Sequence, residues 1–165
     1  ADLFETALAR AVRHLFEESG MSGGGEDLSG WVDDLDAERF WDALREMSRR
    51  SLGMLRSDRW YVRLARAYPR IRDEPSGPAL TGDVENLGRH MLEALLNRGR
   101  KLGVVRTDLP LDFLVECSAA LDHAGDRWIL QHLDAMDDGE LAALMDARMD
   151  MVRDMLDAAH VGWEE

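Results

Sequence analysis

Apolar residues recur at three- and four-residue intervals along almost the whole chain, and no stretch keeps the strict alternation of a half-buried strand. The pattern predicts an all-α fold, a bundle of about six helices. The first spans Asp2–Ser19, with Phe4, Leu8, Ala11 and Leu15 on one stripe, and Gly20 closes it. A glycine-rich loop follows to Gly30. The second helix begins after the acidic run Asp33-Asp34-Leu35-Asp36, which is placed to cap it, and carries Phe40, Leu44, Met47, Ser51 and Leu55 on one face. The third, Asp58–Tyr68, presents Trp60, Tyr61 and Leu64 and ends at Pro69, ahead of a Pro/Gly linker over Asp73–Pro78.

The fourth helix runs from Pro78 or Thr81 to Leu102, with Val84, Leu87, Met91 and Leu95 in register and Gly103 as its stop. Arg98, Arg100 and Lys101 fall where a helix C-terminus favours cations. For the fifth helix, Thr107 or Asp108 is available as a cap and Pro110 suits the first turn. It reaches Leu133, with a stripe of Leu114, Cys117, Leu121, Ala124 and Trp128. Asp137 and Glu140 have the spacing of a capping box for the sixth helix, which extends to His160. Its apolar stripe of Leu141, Met145 and Val152 is widened by Leu144 and Met151 beyond what one neighbouring helix covers, which points to a partner.

At 165 residues the chain fits one domain with a core of its own. Its 33 acidic and 20 basic residues give a net charge of −13, which repels a phosphate backbone. One cysteine, Cys117, permits no internal disulfide, and no apolar run is long enough for a membrane span. A cytoplasmic protein with no membrane partner is expected. The opening Ala1-Asp2-Leu3-Phe4-Glu5 lacks methionine and starts inside a helical pattern, so further sequence is expected upstream.

The patterns that would signal catalysis or a metal are missing. No Glu is followed three residues later by His, His-Glu-x-x-His is absent, and no nucleophile elbow occurs. Asp134, Asp138 and Gly139 resemble part of a calcium loop, but Met136 and Met145 stand where oxygen ligands belong. Asp122 and His123 are the one local acid–base pair, and adjacent helical positions point apart. The expectation is a protein that is not an enzyme and needs no cofactor or metal.

From Leu95 to Trp128 the chain resembles the tetracycline-repressor (TetR) family of transcriptional regulators. The residues that carry the likeness are Arg98-Gly99-Arg100-Lys101-Leu102-Gly103 and then Val104-Val105-Arg106-Thr107-Asp108-Leu109-Pro110, a Gly-x-x-Arg-x-Asp-x-Pro turn ahead of a long helix with Trp128. The opening Leu3-Phe4 is similar to the family's junction after its recognition helix, so the resemblance implies an upstream helix-turn-helix, absent here, through which alone operator DNA is bound.

The resemblance further implies an effector pocket enclosed by the fourth and fifth helices with parts of the first three. Its candidate lining is Phe40, Leu44, Met47, Trp60, Tyr61, Leu64, Leu87, His90, Met91, Leu95, Cys117, Leu121 and Asp122. With Trp41, Tyr68 and Trp128, the aromatic and methionine residues suit an adaptable apolar pocket and equally an ordinary core. Asn86, His90, Ser118, Asp122 and His123 are the polar groups available to orient a small, mainly hydrophobic effector. The family also implies a homodimer in which the fifth and sixth helices meet their copies. Ala119, Ala120 and Gly125 would permit close approach, and Ile129, Leu133, Leu144, Met151 and Met155 would supply apolar contact. One alternative is that a single chain covers these faces itself; another is a helical homodimeric interaction module with a fully packed core and no small-molecule ligand.

Overall fold

A computed structural model describes residues 28–57, 59–72 and 77–161. The expected first helix, most of the glycine-rich loop and the linker at 73–76 lie outside the described residues. Within them every regular element is helical: α1 (Leu28–Asp33), α2 (Phe40–Ser57), α3 (Arg59–Arg72), α4 (Gly77–Lys101), α5 (Leu111–His132) and α6 (Asp138–Leu156). Single 3-10 turns follow α5 and α6, at Leu133–Ala135 and Ala158–Val161. The all-α expectation is met.

Several boundaries differ from the sequence reading, most for a local reason. The glycine-rich loop was expected to reach Gly30, but α1 forms from Leu28 because Val32, with Leu35 just beyond, is drawn into the core. Asp33 and Asp34 therefore end α1 instead of capping α2. Of the acidic run only Asp36 serves the next helix, its Oδ1 accepting the Arg39 N–H at 2.8 Å. α3 continues through Pro69 to Arg72, although proline supplies no backbone donor; Ile71 beyond it is half-buried, and packing outweighs the missing bond. α5 starts after Pro110 with no side-chain cap. Asp108, expected to cap it, is instead held by the Arg106 guanidinium at 2.6 and 2.8 Å.

α6 has the capping box its sequence announces: Glu140 N–H donates to Asp137 Oδ1 at 2.8 Å, and Asp137 N–H donates to Glu140 Oε2 at 3.0 Å. It stops at Leu156, short of the expected His160. Asp157 turns extended there and pairs with Val105 as an isolated antiparallel bridge. Arg106 N–H donates to Leu156 O, and Ala158 N–H to Val104 O.

α2 lies along α6, α4 packs against α1 and α5, and α3 touches α2, α4 and α5. The core is in two parts. The larger joins Val32, Leu35, Phe40, Leu44, Leu95, Leu96, Val105, Leu114, Val115 and Leu156. Gly99 makes its tightest point possible, since a Cβ there would lie 2.8 Å from Phe40 Cζ and closer still to Val105 Cγ2. The smaller part joins Ile129, Leu133, Leu141 and Met145, with Val62 of α3 against it.

Candidate functional site

The Gly103–Pro110 turn fixes how α5 leaves α4. Gly103 takes φ of +75°, the left-handed conformation glycine adopts without strain. Arg100 then donates to the carbonyls of Arg106 at 3.1 Å and Leu109 at 2.5 Å, and Arg106 reaches both Asp108 and Met155 O. The turn that carries the family likeness thus acts as a latch tying α4, α5 and the end of α6 together. Arg98 adds a second tie, donating twice to Leu35 O.

Downstream of the latch, α5 buries Leu114, Val115, Ser118 and Ile129. Its opposite side carries Phe113, Ala120, Ala124 and Trp128, all exposed, with Cys117 and Leu121 half-buried at the edge. Steps of three and four residues put these on one stripe. α6 shows Ala147 and Met151 to solvent, with Leu144 and Met155 half-buried beside them. Gly125 and Arg148 meet between the two helices, where a Cβ at Gly125 would lie 3.1 Å from Arg148 Cδ. Leu121 and Trp128 flank Gly125 along α5, and Leu144 and Met151 flank Arg148 along α6. Both stripes therefore border one seam and form a continuous apolar face. Three of its large side chains are about half exposed: Phe113 at 52%, Trp128 at 47% and Met151 at 56%. Trp128 stacks on His132 at 4.0 Å.

This placement redistributes the expected dimer residues. Ile129 and Leu133 are buried within the chain, Leu144 packs beside them, and Met155 packs at the edge of the larger core. Ala119 is half-buried. Gly125 accommodates Arg148 of the same chain, not an approaching helix. Ala120 and Met151 of that set are exposed, while Phe113, Ala124 and Ala147 were not assigned to it. No local signal marks that side in the sequence, since the bulkiest residues of α5, Phe113 and Trp128, lie on it.

The expected pocket residues divide in a similar way. Phe40, Leu44 and Leu95 sit inside the larger core, with Met47 and Met91 packed on it, so these five do come together.

 Leu95, like Phe40, is enclosed there on all sides, and Trp41 meets Phe40 edge-on at 5.1 Å. Leu64, Leu87, Cys117 and Leu121 are half-buried, while His90, Asn86, His123 and Trp60 are exposed. An open cleft of about 160 Å³ lies elsewhere, between α1 and α4, lined by Val32, Asp33, Ala94, Asn97, Arg98 and Lys101.

Tyr61 and Asp122, however, do belong to one polar cluster between α3, α5 and α6. The Arg148 guanidinium donates to Asp122 at 2.7 Å and to Asp126 at 2.6 Å. Burial raises the Asp122 carboxyl above its ordinary value, against the opposing pull of Arg148. Burial also raises the Tyr61 phenol, and the Asp126 charge adds to it. For Arg148 burial acts downward, but Asp126 and Asp122 outweigh it and the guanidinium stays charged. Ser118 Oγ and Arg148 Nε are buried without a hydrogen-bond partner. Arg148 was missed in the sequence because a helical arginine is ordinarily solvent-facing and nothing beside it marks its burial.

Among the described residues no group of three or more His, Cys, Asp or Glu is arranged to hold a metal ion, and no helix is long and apolar enough to cross a membrane. In comparisons with known proteins, no family model, curated protein or solved structure matches the chain.

Proposed function

We propose that this chain is the effector-binding and dimerisation domain of a TetR-like transcriptional regulator, pairing through α5 and α6. The observation that carries this reading is the continuous apolar face of Phe113, Ala120, Ala124, Trp128, Ala147 and Met151. Large apolar side chains gathered on one face mark an interaction surface, and the alanines between them let helices approach closely. A twofold axis would set this face against its own copy and make a four-helix seam. A small, mainly hydrophobic effector would favour one arrangement of α2–α5, with Tyr61 and Asp122 as its polar end, and so shift the spacing of DNA-binding heads upstream. The net charge of −13 leaves operator binding to those heads.

A second reading has its own observation. Phe40, Leu44 and Leu95, expected around an effector, are part of a filled core, which favours a helical dimer that binds partners and no small molecule. Light scattering and a thermal-shift screen of hydrophobic compounds separate the two. A dimer that a compound stabilises supports the sensor. A dimer unmoved by every compound favours the interaction module, and a monomer overturns both.

A further inference from the structure

We propose that the outward stripe of α3 is a docking surface for a short acidic peptide segment of a partner protein. The helix reads RWYVRLARAYPRIR, five arginines and no acidic residue, in a chain where acidic residues outnumber basic ones 33 to 20. Arg59, Arg63, Arg66 and Arg70 follow one another by four, three and four residues, and all are exposed. They therefore form one stripe, about 16 Å long at the helical rise.

The opposite side of α3 is committed to the bundle, with Tyr61, Val62, Leu64 and Tyr68 half-buried. Of the acidic groups near α3, Asp134 already pairs with Arg66 of the stripe at 2.8 Å, Glu85 accepts from the Tyr68 hydroxyl, and Asp126 is bound to Arg148. Among the described residues no carboxylate pairs with Arg59, Arg63 or Arg70.

Folding gives no reason for this pattern. Like charges four residues apart on a helix repel, and Arg59 in the first turn opposes the helix dipole. Such a local conflict is what a binding surface leaves behind. The rest of the chain, more acidic than the whole, selects the kind of anion. A long duplex or a lipid surface would bring that acidity within the Debye length of roughly 8 Å and be repelled. A short acidic segment can lie on the stripe alone. Of the apolar residues of α3, Trp60 is exposed but Tyr61, Val62, Leu64 and Ile71 are half-buried against the bundle, so they are not free to insert into a bilayer.

The probe is a fluorescein-labelled 15-residue peptide of alanine and glutamate with the glutamates three and four residues apart, titrated with the chain and read by anisotropy. Saturable binding is expected, weakened roughly tenfold by Arg59→Gln, Arg63→Gln and Arg70→Gln together, and unchanged by Lys101→Gln at the end of α4. The triple variant relieves repulsion, so its melting temperature should equal or exceed that of the native chain, which separates lost docking from lost folding. Absence of binding, equal loss in Lys101→Gln, or tighter stripe-dependent binding to a 20-base-pair duplex or to anionic phosphatidylserine vesicles would overturn the proposal.

Discussion

At the scale of single residues, the most exacting position is Gly99. A side chain there has to displace Val105 and Phe40, both at the centre of the larger core. Gly99→Ala should cost about 1–3 kcal/mol, the usual range for overpacking, read as a lower urea midpoint with an unchanged slope. Asp146 makes a different kind of demand. A hydrogen bond from Arg49, with further help from Arg45, holds its carboxyl below the ordinary aspartate value of 3.8. Its contribution to stability is therefore complete above that value and is lost as pH falls through the lowered one. Asp122, raised by burial, works in the opposite sense, since its protonation on acidification favours the folded chain. Urea midpoints of the native chain should fall between about pH 5 and pH 3, and Asp146→Asn should flatten that fall. An Asp146→Asn profile as steep as the native one would remove Asp146 from the account.

Among the elements, α6 shows what a sequence declares outright. Asp137 and Glu140 announce its start by spacing alone, and both reciprocal hydrogen bonds are made. Asp137→Ala should cost ~1 kcal/mol, checked by thermal melting, because the Glu140 N–H loses its Asp137 Oδ1 acceptor. The Gly103–Pro110 turn was equally legible, since a glycine stop and a proline start leave the chain few routes between two helices. α5 was legible as a helix but not in its orientation. Small and apolar residues run round most of its circumference, so Leu114, Ala119, Ala124 and Ile129 carry no local mark of which side faces inward. Only the arrival of Arg148 against Gly125, from a residue 23 positions later, settles it. The candidate pocket residues fared alike: Phe40, Leu44 and Leu95 were rightly grouped, but grouping cannot tell a filled interior from a cavity. α1 was hidden because six residues after a glycine-rich run are too few to show a period.

For the molecule as a whole, the α5–α6 face sets the sharpest expectation. Ala124→Arg places a charged side chain at an exposed position, so the chain should keep its helical circular-dichroism spectrum while its light-scattering mass falls from twice the chain mass to the chain mass. Native and variant chains of equal mass would remove the pairing. The division of the core into two clusters reaches further. One cluster is large and latched by Arg98, Arg100 and Arg106; the other is small, and the helices round it are strapped by exposed ion pairs such as Arg56–Asp138 and Arg66–Asp134. Exposed pairs weaken as salt rises, whereas the part-buried carbonyl ties of the latch are screened less. The bundle therefore has a firm end and a yielding end, and amide protons near Ile129 and Leu141 should exchange through local openings that leave Phe40 and Leu114 closed.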